Sequence, residues 1–303
     1  MKRSFVFIAF FLILGFSLAG LYWSQRRAKS TAVSPNAILN MAADAQRDIS
    51  RLQMHFTRLS DEQENAIGRE LASRYAAQAR PVTAEEQGLE KYVRRVGANV
   101  ALHAHRRLPF SFTVLPDHNR INAFSLPGGP VYIGEGMLDL MTTEDELASV
   151  LAHEIEHIDH YHSVERVQVG AQLKKLNLDV VGALVQIPLD FWEAGYHKDE
   201  EFEADREGMY LAVQSGYSPY GSVDLFERFA KLCDEYVIHA QSPDEELSQL
   251  AIQSLTGYFR SHPLPSERLG QANRIIAQEH WESRTERKPF HVEYEVHNGE
   301  FMK

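Results

Sequence analysis

The chain has 303 residues, 44% of them hydrophobic and 24% charged, with a formal charge of −11 and one cysteine. Such a composition is globular and supports one large core or two small ones, which excludes disordered, collagenous and low-complexity classes. Cys233 has no second cysteine to pair with, so an intrachain disulfide scaffold and CxxC-type zinc or redox sites are excluded. An acidic balance without a basic stripe interleaved with aromatics excludes a nucleic-acid binder held by phosphate contacts. Fourteen histidines, in contrast, are a generous supply of the commonest metal ligand.

Residues 5–23 carry no charge and, as a helix rising about 1.5 Å per residue, would cross most of a ~30 Å hydrocarbon layer. Lys2 and Arg3 precede this run, and Arg26, Arg27 and Lys29 follow it. A small-residue stretch, Ser17, Leu18 and Ala19, allows a cleaved secretory signal, but the apolar run continues through Tyr22 and Trp23, which favours an uncleaved anchor. A short basic N-terminus that stays inside places the remainder outside the cytoplasm. Residues 31–56 read as a linker and a weakly amphipathic helix.

From Ser60 the pattern becomes helical: Ser60 and Gln63 stand at capping-box spacing, and Ile67, Leu71 and Tyr75 follow on one face. A second helix is expected over residues 83–102, with Leu89, Tyr92, Val93, Val96 and Val100 as its apolar face. The period then shortens to that of strands at residues 110–115 and 130–133, with an extended segment broken by Pro127, Gly128, Gly129 and Pro130 between them, which suits an edge strand and a turn.

Helix resumes at Thr143, where Thr143 and Glu146 form a second capping-box pair. Leu147, Val150, Leu151, Ile155 and Ile158 mark one buried stripe. Within that helix lies His153-Glu154-Ile155-Glu156-His157. Histidines four apart stand one turn above each other, so both imidazoles reach one tetrahedral Zn²⁺. Glu154 sits at the margin of that face, placed for water rather than for the metal. The same five residues also satisfy an inverted pattern in which Glu156 is the base. A third ligand is required, and with His160 and Ser163 where the metzincin extension needs Gly and His, that extension is excluded. Glu201 and Asp205, four apart in an acidic helical stretch, are candidates for a ligand and for a carboxylate holding a ligating imidazole.

His153-Glu154-Ile155-Glu156-His157 followed by Glu201-Phe202-Glu203-Ala204-Asp205 resembles the M48 family of zinc metallopeptidases. So do Asn122, Ala123 and Phe124 before Pro127, Gly128 and Gly129, and the segment His262, Pro263, Leu264, Pro265, Ser266, Glu267 and Arg268. The resemblance implies an α+β, mostly helical zincin-like domain over about residues 57–280, with a small β-sheet whose edge strand borders the active-site cleft, and residues 281–303 as a tail with a last strand. It implies one Zn²⁺ per chain on His153, His157 and Glu201, with Glu154 as base. His262 is a candidate oxyanion donor, with two other readings: a ligand that closes the metal's open position, and a capping histidine. Asn122, Phe124, Ser125 and Leu126 are the candidate substrate-binding residues, by strand addition. Residues 178–192 read as a core helix, a cover over the cleft or a segment dipping into the bilayer surface, and His103, His105, His118, His160 and His162 as surface or structural. For a chain ending at residue 303, the resemblance further implies that the C-terminal helical-repeat domain of some relatives is lacking. The implied activity is endopeptidase action on unfolded or misassembled envelope proteins, with polypeptide substrates, no nucleic acid, and the membrane as partner through the N-terminal segment. The implied location is a single-pass anchor with the catalytic domain in the periplasm, or a soluble periplasmic protein after signal cleavage. A zinc-stabilised chaperone-like binding module with little turnover is the alternative.

Overall fold

The computed structural model describes residues 59–78, 80, 83–164, 195–239 and 262–290, without the side chains of residues 233–239. The chain divides into two compact units, Met1–Thr57 and Arg58–Lys303, and all the described residues belong to the second. The expected membrane segment, the helix at 37–56, the apolar stretch 178–192 and residues 291–303 lie outside the described residues. Among those described, no helix is long and apolar enough to cross a membrane.

Two helices open the domain, α1 (Asp61–Gln78) and α2 (Ala84–Ala101), both started by capping boxes. In α1, Ser60 Oγ accepts from the Gln63 amide and Gln63 Oε1 from the Ser60 amide; in α2, Thr83 and Glu86 make the same exchange. Three short strands follow: β1 (Ser111–Leu115), β2 (Ala123–Ser125) and β3 (Pro130–Gly134). Their order is β1-β3-β2, with β1 parallel and β2 antiparallel to β3, so β2 is an edge. The turn between β2 and β3 requires positive φ at Gly128 (80°) and Gly129 (122°), and the Gly128 amide is tied to Glu64 Oε1 of α1 at 3.0 Å. Alternation sorts the sheet's two faces. Phe124, Leu126 and Tyr132 pack with Ile67, Leu71 and Tyr75 of α1, while Ala123, Val131 and Ile133 join the main core.

A short helix, α3 (Glu135–Asp139), leads into α4 (Glu144–Asp159), and the described helices end with α5 (Lys198–Gln214), α6 (Tyr220–His239) and α7 (Pro265–Gln278). The single apolar stripe expected of α4 understates its burial: every residue from Glu144 to Asp159 is buried, because α2, α5, α6 and the sheet enclose it. Its aliphatic face, Leu147, Leu151, Ile155 and Ile158, is fully inaccessible, and truncating any of these to alanine costs about 2–5 kcal/mol. Its acidic N-terminus is tolerated because each carboxylate meets donors. Glu144 accepts from Tyr92 and Arg95, Asp145 from the amides of Ser218 and Lys288, and Glu146 from Arg228. The last strand expected in the tail is reduced, among the described residues, to one antiparallel bridge between Thr143 and Pro289.

Candidate metal centre

The central helix carries His153 and His157 on one face, with their Nε2 atoms 3.0 Å apart. α5 crosses that face closely enough to put Glu201 Oε2 3.5 Å from His153 Nε2 and Glu201 Oε1 3.7 Å from His157 Nε2. All three residues are buried, and their ligand atoms converge within 4.8 Å of one another. Metal bonds of about 2.0–2.1 Å in a tetrahedron place ligand atoms about 3.3 Å apart, so the donor set fits a divalent cation of that geometry. Three lone-pair carriers drawn together without a neutralising cation are otherwise expensive to bury.

Each ligand is held from behind. His153 Nδ1 lies 3.0 Å from Asp205 Oδ1, off the line of a well-formed hydrogen bond, and Asp205 is in turn gripped by Arg268 through Nε (2.8 Å) and Nη2 (2.5 Å). His157 is stacked on Tyr196 with ring centroids 3.9 Å apart, and the Tyr196 amide donates to Glu201 Oε1 at 3.1 Å. His262, entering from the loop before α7, puts Nδ1 2.5 Å from Glu201 Oε2. That contact takes the Nδ1 hydrogen, so the oxyanion role expected from the sequence requires a ring protonated on both nitrogens.

Charge is redistributed accordingly. Burial opposes protonation of His153, yet Asp205 and Glu201 prevail and raise it to about 10. Burial and the neighbouring His153 hold His157 well below the ordinary histidine value. Glu201 is kept well below the carboxylate range, against burial, by His262 and His153, and Asp205 is lowered, also against burial, by Arg268. Burial pushes Glu154 up to about 7, with His153 opposing.

Glu154 is 2% exposed, and its Oε2 has no hydrogen-bond partner among the described residues. With His153, Ser149, Asp205, Phe226 and Arg268 it lines a cavity of about 20 Å³, enough for one water. Glu156, the base of the inverted pattern, points elsewhere: it lies 3.2 Å from His160 and borders a separate pocket with His105, Glu207 and Tyr210.

The candidate substrate segment is partly taken up by the sheet. Gly134 donates to Asn122 O, and Leu126 donates to Pro130 O, so by antiparallel alternation the main-chain groups of Asn122, Phe124 and Leu126 are spent on β3. The outward-turned amides and carbonyls are those of Ala123 and Ser125. Phe124 stacks on Tyr132, ring centroids 5.1 Å apart, and the buried Asn122 Oδ1 is without a hydrogen-bond partner among the described residues.

Arg268, Tyr196 and His162 were not assigned site roles from the sequence. The first could have been flagged by its position in the segment beginning at His262. Tyr196 stands close to Glu201 in the sequence but carries no motif of its own, and His162, read as surface or structural, is 2% exposed and touches His157.

A sequence profile of peptidase family M48 matches residues 83–276, and the chain belongs to that family. Among curated relatives, the beta-barrel assembly-enhancing protease of Escherichia coli (strain K12) is 28% identical over 204 residues, covering 61% of this chain and 38% of the relative. A putative beta-barrel assembly-enhancing protease of Vibrio cholerae is 27% identical over 199 residues, with 60% and 38% covered. The mitochondrial metalloendopeptidase OMA1 of Schizosaccharomyces pombe is 37% identical over 114 residues, covering 35% of this chain and 34% of the relative. The chain thus matches about two-fifths or less of the length of these relatives.

Proposed function

We propose that the protein is a zinc-dependent endopeptidase acting on unfolded or misassembled envelope proteins. The observation that carries this reading is a Glu154 oxygen without a hydrogen-bond partner among the described residues, lining a water-sized cavity together with His153, one of three ligand-type residues that converge. His153, His157 and Glu201 would hold one Zn²⁺; two nitrogens and a carboxylate suit that metal and leave a position open. When bound, the ion polarises the scissile carbonyl and acidifies water.

Glu154 takes the proton of the attacking water and delivers it to the leaving amine. Its buried setting brings its proton affinity close to neutrality, as a group serving first as base and then as acid needs. His262 steadies Glu201 through its Nδ1 hydrogen, and protonation on both ring nitrogens would let Nε2 donate to the developing oxyanion as well. An extended substrate adds to β2 by hydrogen bonds to Ala123 and Ser125.

The relatives' names, a beta-barrel assembly-enhancing protease and a mitochondrial metalloendopeptidase, support proteins of an envelope or organelle as the substrate class. The apolar run 5–23 supports a membrane tether with the catalytic domain in the periplasm. Incubating the full chain with an unfolded polypeptide and mapping the fragments tests the activity. Internal cleavage by wild type, and a loss of about 10²–10⁴ in rate for Glu154→Gln, is expected. Equal inertness of the two while both hold zinc would support the chaperone-like alternative. In the same assay, a fall in rate for His262→Ala with zinc retained supports the donor role, and a rise identifies His262 as a latch.

A further inference from the structure

We propose that His162, oriented by Glu203, fixes the tautomer of His157 that presents a lone pair to the metal. This inference rests on the zinc-peptidase reading for its purpose, but its geometry stands by itself.

His157 is fully buried, and its Nδ1 lies 2.9 Å from Nδ1 of His162. Two ring nitrogens at that distance share one proton. If His162 owned it, a neutral His157 would carry its hydrogen on Nε2, in the middle of the donor set. The far side of His162 decides the matter. Its Nε2 faces Glu203 Oε2 at 3.4 Å, and a carboxylate accepts only, so the Nε2 hydrogen belongs there. A neutral His162 with its hydrogen on Nε2 has a lone pair on Nδ1, which accepts from His157 Nδ1–H. One assignment thus sets donor against acceptor at both contacts, and it leaves His157 Nε2 bare for the metal.

The backbone is bent to bring this about. His160 caps the C-terminus of α4, and Tyr161 adopts φ 62°, a left-handed conformation that residues other than glycine disfavour. This reversal turns His162 back along the face it has just left, onto His157 five positions earlier. The Arg106 guanidinium lies 3.8 Å over the Tyr161 ring and donates to Ile158 O at 2.7 Å, clamping the turn. The two ligand histidines are therefore supported in parallel from α5: His153 faces Asp205 directly, and His157 reaches Glu203 through His162. His162 is a positioning residue and touches no reacting atom.

The test compares His162→Leu, His162→Asn and Glu203→Gln in the full chain. Zn²⁺ affinity is measured by competition with a chromophoric chelator, and ring-nitrogen NMR of the metal-depleted protein reports the His157 tautomer. Wild type is expected to hold the Nδ1–H tautomer. His162→Leu should weaken Zn²⁺ binding about 10–100-fold. His162→Asn, whose Oδ1 stands near the position of Nδ1, should recover most of it. Glu203→Gln, which keeps the shape, serves if the leucine variant does not fold, and should weaken binding severalfold. Unchanged affinity in a folded His162→Leu or in Glu203→Gln, or a hydrogen on His157 Nε2 in wild type, overturns the proposal. So does a second Zn²⁺ bound at His160, His162 and Glu203, whose ligand atoms also converge, since His162 Nε2 would then be a ligand and not a donor. A wild type that binds no Zn²⁺ defeats the peptidase reading instead, with the NMR still reporting on the relay.

Discussion

Gly208 lies against the backbone of His153: a Cβ at position 208 would stand 2.9 Å from the His153 amide nitrogen and 3.1 Å from its Cα. The missing side chain is what lets α5 approach α4 closely enough for Glu201 to join the two histidines. Gly208→Ala should push the helices apart, costing about 1–3 kcal/mol in stability and lowering Zn²⁺ affinity in the same variant. Urea denaturation and a chelator competition check both, and unaltered metal affinity would show that the crossing distance does not set the site.

Arg268 is 3% exposed and makes two hydrogen bonds to a buried Asp205 while lying 4.4 Å over the Phe226 ring. Arg268→Leu strands that carboxylate and should cost about 3–5 kcal/mol. Replacing both partners by leucine should cost at least about 1 kcal/mol less than the two single changes added together, measured in chelator so that metal binding does not enter.

Much of this arrangement could be read from the sequence where the signal is local. The capping pairs Ser60 with Gln63, Thr83 with Glu86 and Thr143 with Glu146 each start a helix, since both partners lie within one turn. Spacing alone put His153 and His157 on one helical face. The missing parts are those that tertiary contact supplies. Tyr196 stacks on His157 from across the chain, and His162 reaches it only because Tyr161 reverses the backbone, which no periodicity announces. Alternation likewise identified an edge strand but not which of its residues face outward. That parity follows from the bonds Asn122 and Leu126 make to β3.

That parity has a measurable consequence. A peptide lying antiparallel or parallel to β2 can use only the groups of Ala123 and Ser125, so its own amides should matter alternately. Methylating backbone nitrogens one at a time along a cleaved peptide should impair cleavage at every second position near the scissile bond, chiefly through KM. A uniform or irregular profile would rule out strand addition at β2.

Tyr132, 5% exposed between Tyr75 and Phe124, has its hydroxyl pushed up to about 12 by burial, and burial moves Tyr217 to about the same value. Raised values mean that the unfolded chain ionises first. The stabilisation is complete below about pH 10 and is lost as pH climbs through about 12. Denaturation midpoints should therefore fall across that interval, and Tyr132→Phe should flatten the fall; a midpoint independent of pH there would contradict the assignment.

In the proposed reaction, one metal ion on His153, His157 and Glu201 supports hydrolysis initiated by Glu154. Its most direct test is a titration of metal-depleted full chain with Zn²⁺, following bound zinc and internal peptide cleavage together. No cleavage is expected without metal, followed by a rise that saturates at one zinc per chain. Glu154→Gln should bind the same single zinc and stay inactive, and His157→Ala should lose both binding and cleavage. Cleavage that persists in metal-depleted protein, or one tightly bound zinc retained by His157→Ala, would contradict it.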